Sequence, residues 1–177
     1  MNSRIYLAAL IGASLSTSAF ANINLSFGQD TTLIETGNNN YTLSTASFAI
    51  DKSIPLSSNI TIIPGGKIGF YDSDTDNNVK LKLNNSIQLN LRLQTNGQGS
   101  LENLYVHLTP NYSKFEFSNN IGNGSYTGFG VNVGAGYQFT KQISADLGYG
   151  AYSLDHNRSI DTDLDVSAVN LALRYTL

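Results

Sequence analysis

Between Val79 and Gln94 the chain alternates almost without error. Seven of the eight odd positions are Val, Leu or Ile, with Asn85 the exception, and none of the eight even positions is apolar. A period of two marks a strand with one apolar and one polar face. These sixteen residues far exceed the usual strand of about 5–6 residues, which disfavours a short edge strand in a soluble sandwich and favours a transmembrane β-barrel.

Alternation alone leaves the direction of the faces open, because a soluble sandwich shows the same period with its apolar side turned into the core. Residues 1–21 bear on the compartment. Arg4, an apolar run over residues 5–11 and the small-x-small pattern of Ala19, Phe20 and Ala21 have the form of an export signal. The expected mature domain is therefore 22–177. No later stretch approaches the roughly 20 apolar residues of a spanning helix, so strands must do any crossing. Thirteen acidic residues against ten basic ones, with no basic cluster, argue against a nucleic-acid partner. Cysteine is absent, which excludes disulfides and thiolate-metal chemistry.

Strands are expected at 22–35, 41–51, 59–72, 79–94 and 101–118, followed by three of clear alternation around Phe129 to Phe139, Ile143 to Tyr149 and Val169 to Leu177. Pro64, inside the third, lacks a ladder donor, so a bulge or kink is expected there. In the fifth, the apolar parity runs even at Leu104, Val106 and Leu108 but odd at Phe115 and Phe117. That switch predicts an extra residue bulging near Pro110. The reading is an all-β, eight-stranded antiparallel up-and-down transmembrane β-barrel. Its tightest turn, at Thr140 and Lys141, falls on the side where such barrels keep short turns. Gly130, Gly134, Gly136, Gly148 and Gly150 share the polar face, where small residues would make room inside a narrow lumen.

The stretch from Gly128 to Leu177, with VGAGYQFTKQISADLGYGAY, an Asp-rich loop and VSAVNLALRYTL, resembles the eight-stranded outer-membrane barrel family that includes the OmpA transmembrane domain and OmpX-like proteins. The resemblance implies a monomer in the bacterial outer membrane, in contact with outer-membrane lipid and lipopolysaccharide and inserted by the barrel-assembly machinery. The resemblance is specific for fold and not for function; the expected role is structural or surface-interaction, without enzymatic activity. Members of that family usually end in an aromatic residue read during assembly, preceded by apolar residues at alternating positions. Leu171, Leu173 and Tyr175 match this pattern, and Leu177 departs from it. With no Trp, an interfacial aromatic girdle would have to be built from Tyr and Phe.

Lys67, Lys80, Lys82, Arg92 and Arg174 fall on the expected inner face, with Glu116 and Asp146 as counter-charges, and Asp146 and Arg174 stand on adjacent strands. Eight strands leave an interior just wide enough for side chains, so a satisfied ionic network filling the lumen is expected over an ion path. Asp72, Asp74 and Asp76 alternate in an expected external loop. Asn77 and Leu83 stand where an EF-hand needs Gly and Glu, so neither metal nor cofactor is expected. His107 has a hydroxyl two residues away in Thr109. With no carboxylate evident to orient it, a hydrogen-bonded interior histidine is expected, and no catalytic residue. The rival readings are a small passive pore or transporter of small or hydrophobic solutes, a lipid A-modifying enzyme and a soluble lipocalin-like binder.

Overall fold

The computed structural model describes residues 22–36, 39–76, 79–119, 123–156 and 164–177. The expected export signal lies outside the described residues, as do 37–38, 77–78, 120–122 and 157–163. Eight long strands make up the chain: β1 (Ile23–Thr36), β2 (Asn39–Lys52), β3 (Ile60–Asp76), β4 (Val79–Asn96), β5 (Leu104–Asn119), β6 (Asn123–Gln138), β7 (Ile143–His156) and β8 (Leu164–Thr176). A two-residue strand, Ile54–Pro55, sits in the connection after β2, and a 3-10 turn, Gly99–Leu101, in the connection after β4.

Each strand pairs antiparallel with its sequence neighbours, β8 returns to β1, and the sheet closes on itself. Closure leaves no free sheet edge, the condition for crossing hydrocarbon with strands. The turn between β6 and β7 is tight: Phe139 N donates to Ile143 O at 2.9 Å, and Thr140 Oγ1 accepts from Gln142 N at 3.2 Å and Ile143 N at 3.0 Å. It lies at the end where β1 begins and β8 stops, the inner end in barrels of this kind.

The faces point as a membrane requires. Leu89, Leu91 and Leu173 are 38%, 46% and 61% exposed, whereas Arg92 and Arg174 are 7% and 8% exposed. On β6 the outward apolar residues run from Phe129 to Phe139. Ten steps of about 3.4 Å at a tilt of about 40° give a band roughly 25 Å tall.

Above that band the faces exchange character. On β5, Leu104, Val106 and Leu108 point outward, while Phe115 and Phe117 are buried inside and Lys114 and Glu116 are on the outer face. The backbone parity never changes, and the β5 to β6 register runs unbroken from Leu104 to Ser118. The bulge expected near Pro110 is thus corrected. The surroundings invert there, from lipid to water, and the backbone does not.

On β4 the opposite holds. The register against β5 shifts between Leu83 and Asn85, so Ser86, Gln88 and Arg92 face inward below the bulge and Leu83 faces inward above it. The single gap in the alternation, Asn85, marks the bulge. No bulge forms at Pro64, because β3 stays in register with β4 from Ile60 to Asp76. The pairing with β2 instead lapses at Pro64 and resumes, in the same register, between Ile54–Pro55 and β3. Strands β6, β7 and β8 also reach further than the alternation predicts. Asn123 to Thr127, Ala151 to His156 and Leu164 to Ala168 are strand, extensions hidden by the same exchange of faces.

The β2 to β3 seam is built differently from the rest. Backbone pairing covers residues 47–51 of β2 against 65–69 of β3. Beyond it, carboxylates replace the ladder: Ser44 N donates to Asp72 Oδ2 at 2.5 Å, Thr42 N to Asp74 Oδ2 at 2.7 Å and Asn40 N to Asp76 Oδ2 at 2.8 Å. The two-residue spacing that suggested an external acidic loop is a side-chain ladder on strand β3. Donation from the Thr42 and Thr75 amides holds the Asp74 carboxyl below its ordinary value of 3.8.

The two registers make opposite predictions for β5. Phe115→Ala should cost about 3–5 kcal/mol in urea unfolding from lipid vesicles, as for a large buried aromatic, whereas Lys114→Ala should change it by less than about 0.5 kcal/mol. A bulge at Pro110 would reverse that ranking. For the seam, a depressed carboxyl contributes fully above its ordinary value and loses that contribution as pH falls through the depressed one. Protection of the Thr42 amide, measured by hydrogen exchange against its intrinsic rate, should hold steady above about pH 4 and drop below it. Asp74→Asn should flatten this profile, and Asp74→Ala should lower protection about threefold to tenfold at neutral pH.

Candidate functional site

The lower half of the lumen is a charge-balanced polar network. Small inward residues let it form. A Cβ on Gly136 would stand 2.3 Å from the Tyr105 ring and one on Gly134 would stand 2.5 Å from His107 Nε2, so these two glycines make room for the large side chains of β5. Tyr105 in turn lies beneath Arg92, whose guanidinium carbon is 5.4 Å from the ring centroid.

Asp146 is the hub. Its Oδ1 accepts from Arg92 Nη2, its Oδ2 lies 3.4 Å from Arg174 Nη2, and His107 Nε2 stands 3.6 Å from Oδ1. Arg174 also reaches Asp51 at 4.0 Å and the Ser26 hydroxyl at 3.5 Å. Asp51 Oδ1 accepts from Asn24 Nδ2 at 2.5 Å, and Asn24 Oδ1 accepts from the Thr176 hydroxyl at 2.8 Å, which ties β1, β2 and β8 together at the inner end. Higher up, Lys67 donates to Asp30 at 2.9 Å across β2. Lys67, Arg92 and Arg174 thereby face Asp30, Asp51 and Asp146, three cations against three carboxylates.

The upper half of the interior is apolar. Ile34, Leu43, Leu83, Phe115, Phe117 and Leu154 form its buried centre. Phe115 meets Phe117 with stacked rings at 5.9 Å and Tyr152 edge-on at 5.8 Å. This plug has the composition of a soluble protein's core, placed where the strands rise above hydrocarbon.

Of the seven charged residues that the alternation assigns to the lumen, the structure brings Lys67, Arg92, Asp146 and Arg174 inside. Lys80, Lys82 and Glu116 are corrected to the outer face. The β4 bulge inverts parity at Lys80 and Lys82, where Leu81 and Leu83 take the inward positions. Glu116 keeps the even parity of an unbulged β5 and pairs on the surface with Lys114 at 2.5 Å and Asn85 at 2.9 Å. Sequence reasoning missed Asp30 and Asp51. Both lie on the inward parity of their strands, so the alternation of β1 and β2 carried the signal. Leu171, Leu173, Tyr175 and Leu177 all lie on the outer surface.

His107 also requires a correction. Its Nδ1 is 3.2 Å from Thr109 Oγ1, and a carboxylate, Asp146, does stand on its other side. The row Thr109, His107, Asp146 has the order of a nucleophile, a base and an orienting acid. Arg92 already engages the same carboxylate oxygen, and the adjoining cavity is about 100 Å³. At about 30 Å³ each, that volume holds about three waters, far too little for a lipid. Among the described residues no group of three or more His, Cys, Asp or Glu side chains could hold a metal ion.

Residues 6–176 match the outer membrane protein beta-barrel domain family. The chain belongs to that family, whose members are barrels of the bacterial outer membrane. Solved structures of the same shape include Neisserial surface protein A, at TM-score 0.68 and 13% identity over 88% of this chain and 97% of that one. Another is Ail, the attachment invasion locus protein of Yersinia pestis, at TM-score 0.60 and 11% identity over 89% of this chain and 99% of that one. At such identities the likeness concerns the fold. No curated protein matches the chain in sequence.

The hub can be tested directly. Asp146→Ala strands two buried guanidinium groups and should cost about 3–5 kcal/mol in vesicle unfolding. Combining Asp146→Leu with Arg92→Met removes charge from both sides and should recover much of that loss.

Proposed function

We propose that the chain is a sealed structural and surface-contact barrel of the outer membrane, without catalytic activity. One observation carries this reading: apart from a cavity of about 100 Å³ beside the hub, the interior is filled by a neutralised ionic network below and an apolar core above. A balanced network offers no net fixed charge to select an ion, and the apolar plug above it excludes water. The buried Thr109 hydroxyl leaves no face on which a lipid ester could meet the His107 row.

Function then resides on the outside. Lys80, Lys82 and Lys114 project from β4 and β5 above the apolar band, where cationic side chains meet lipopolysaccharide phosphates by charge-assisted contacts. The outward apolar residues of β8 at Leu171, Leu173 and Tyr175, with Leu177 after them, offer the alternating pattern for recognition by the barrel-assembly machinery. The apolar band fits a monomer surrounded by lipid.

Reconstituted into planar bilayers, the protein should give no steady single-channel conductance. The paired variant Phe115→Ala and Phe117→Ala, which hollows the plug, should conduct. Steady conductance by the natural chain, altered by Arg92→Gln, would replace this reading with that of a small passive pore.

A further inference from the structure

On the outer face of β1, β8, β7 and β6 lies a predominantly apolar groove of about 600 Å³, within the range of about 300–1,000 Å³ typical of small-ligand sites. Its origin is a run of small residues in cross-strand register. Leu33 of β1 stands opposite Ser167 of β8, Ser167 opposite Ala151 of β7, and Ala151 opposite Val131 of β6. Ser167, Ala151 and Ser153 make a floor between the Leu33 wall and the Phe129 wall, and Phe129 is 74% exposed. The groove sits where the apolar band gives way to the polar outer zone.

At its outer end two carboxylates face each other. Glu35 of β1 is directly opposite Asp165 of β8, and both line the groove. Like charges at directly opposed positions are unfavourable, and neither residue has an ion-pair partner among the described residues. A slot lined by Leu33, Ala151 and Phe129 thus ends in a negative pair that has no cationic partner among the described residues. We propose that this groove binds a membrane lipid whose head carries an ammonium group, the chain lying over Ala151 between Leu33 and Phe129 and the cation set between Glu35 and Asp165. An anionic head would be repelled there, and a neutral one would leave the carboxylates opposed.

The test uses the folded barrel in neutral maltoside micelles, with native mass spectrometry reading retained adducts of dodecylamine or dodecyl sulfate at equal concentration. The natural chain should retain the amine about fivefold over the sulfate, near the upper worth of an exposed ion pair. Glu35→Gln with Asp165→Asn preserves shape and should bring the two amphiphiles level. Ala151→Leu, and separately Ser167→Leu, fills the floor and should lower retention of both. All four substitutions, in three variants, lie on the outer surface, and heat-modifiable gel migration checks that each variant is folded. Equal retention by the natural chain, or amine retention unchanged in the charge-neutral or filled variants, would overturn the proposal. So would binding of a lysine–leucine amphipathic peptide without dodecylamine, which would assign the groove to a peptide. Conductance plays no part in the readout, so a failure here is distinguishable from failure of the sealed-barrel reading.

Discussion

Backbone hydrogen bonding decides this architecture. In hydrocarbon no water can pair a stray N–H or C=O, so a chain crossing as strands must close its sheet completely. Here the seam between β2 and β3 is the shortest backbone pairing between neighbouring long strands. Within the band the ladder is complete where Ala49 and Ile50 meet Lys67 and Gly66. Above the band, where water returns, the ladder gives way to Asp72, Asp74 and Asp76 reaching across to β2 amides. Carboxylates in that role would be ruinous in lipid and are tolerable in water. The seam therefore records the level of the membrane surface as clearly as the outward side chains do.

The same change of solvent organises the interior. Below the surface, the outside of the barrel is lipid, and the inside is where polar groups find partners. Above it, the outside is water, and the inside becomes an ordinary apolar core. One strand can serve both zones without changing its backbone, as β5 does between Leu108 and Phe115, or can bulge between them, as β4 does at Asn85. The outcome on β4 and β5 is alike: Leu83 and Phe117 meet across the strands in one register pair and share the plug.

These two strands show what was legible in the sequence and what was not. Periodicity reports backbone parity only while the surroundings stay constant. Across β6 to β8 within the band it gave strands, faces and count, because every outward position met lipid. On β5 a switch in hydrophobic parity mimicked a bulge that the backbone lacks. On β4 an unbroken apolar parity concealed a bulge, because backbone and surroundings inverted together, and only the lone Asn85 betrayed it. Lys80, Lys82 and Glu116 were misplaced by this one effect, and the outer extensions of β7 and β8 lie beyond the predicted alternation because their apolar residues change sides. Arg92, Arg174, Asp146 and Lys67 lie below the switch, where parity alone placed them. Asp30 and Asp51 needed a further step, the requirement that buried cations be matched by buried carboxylates.

Charge balance also constrains where contact with other molecules can occur. Inside, Asp30, Asp51 and Asp146 are matched by Lys67, Arg92 and Arg174. Outside, charges of both signs stand around the rim, and Lys114 pairs with Glu116. Lysines stand over β4 and β5, and the Glu35 and Asp165 carboxylates stand opposed on β1 and β8. Uncompensated charge persists at the surface because water and mobile ions screen it at low cost, whereas the interior admits none. A barrel of this kind therefore keeps its buried charges opposed to one another and leaves unpaired ones at the membrane surface, where water and ions screen them.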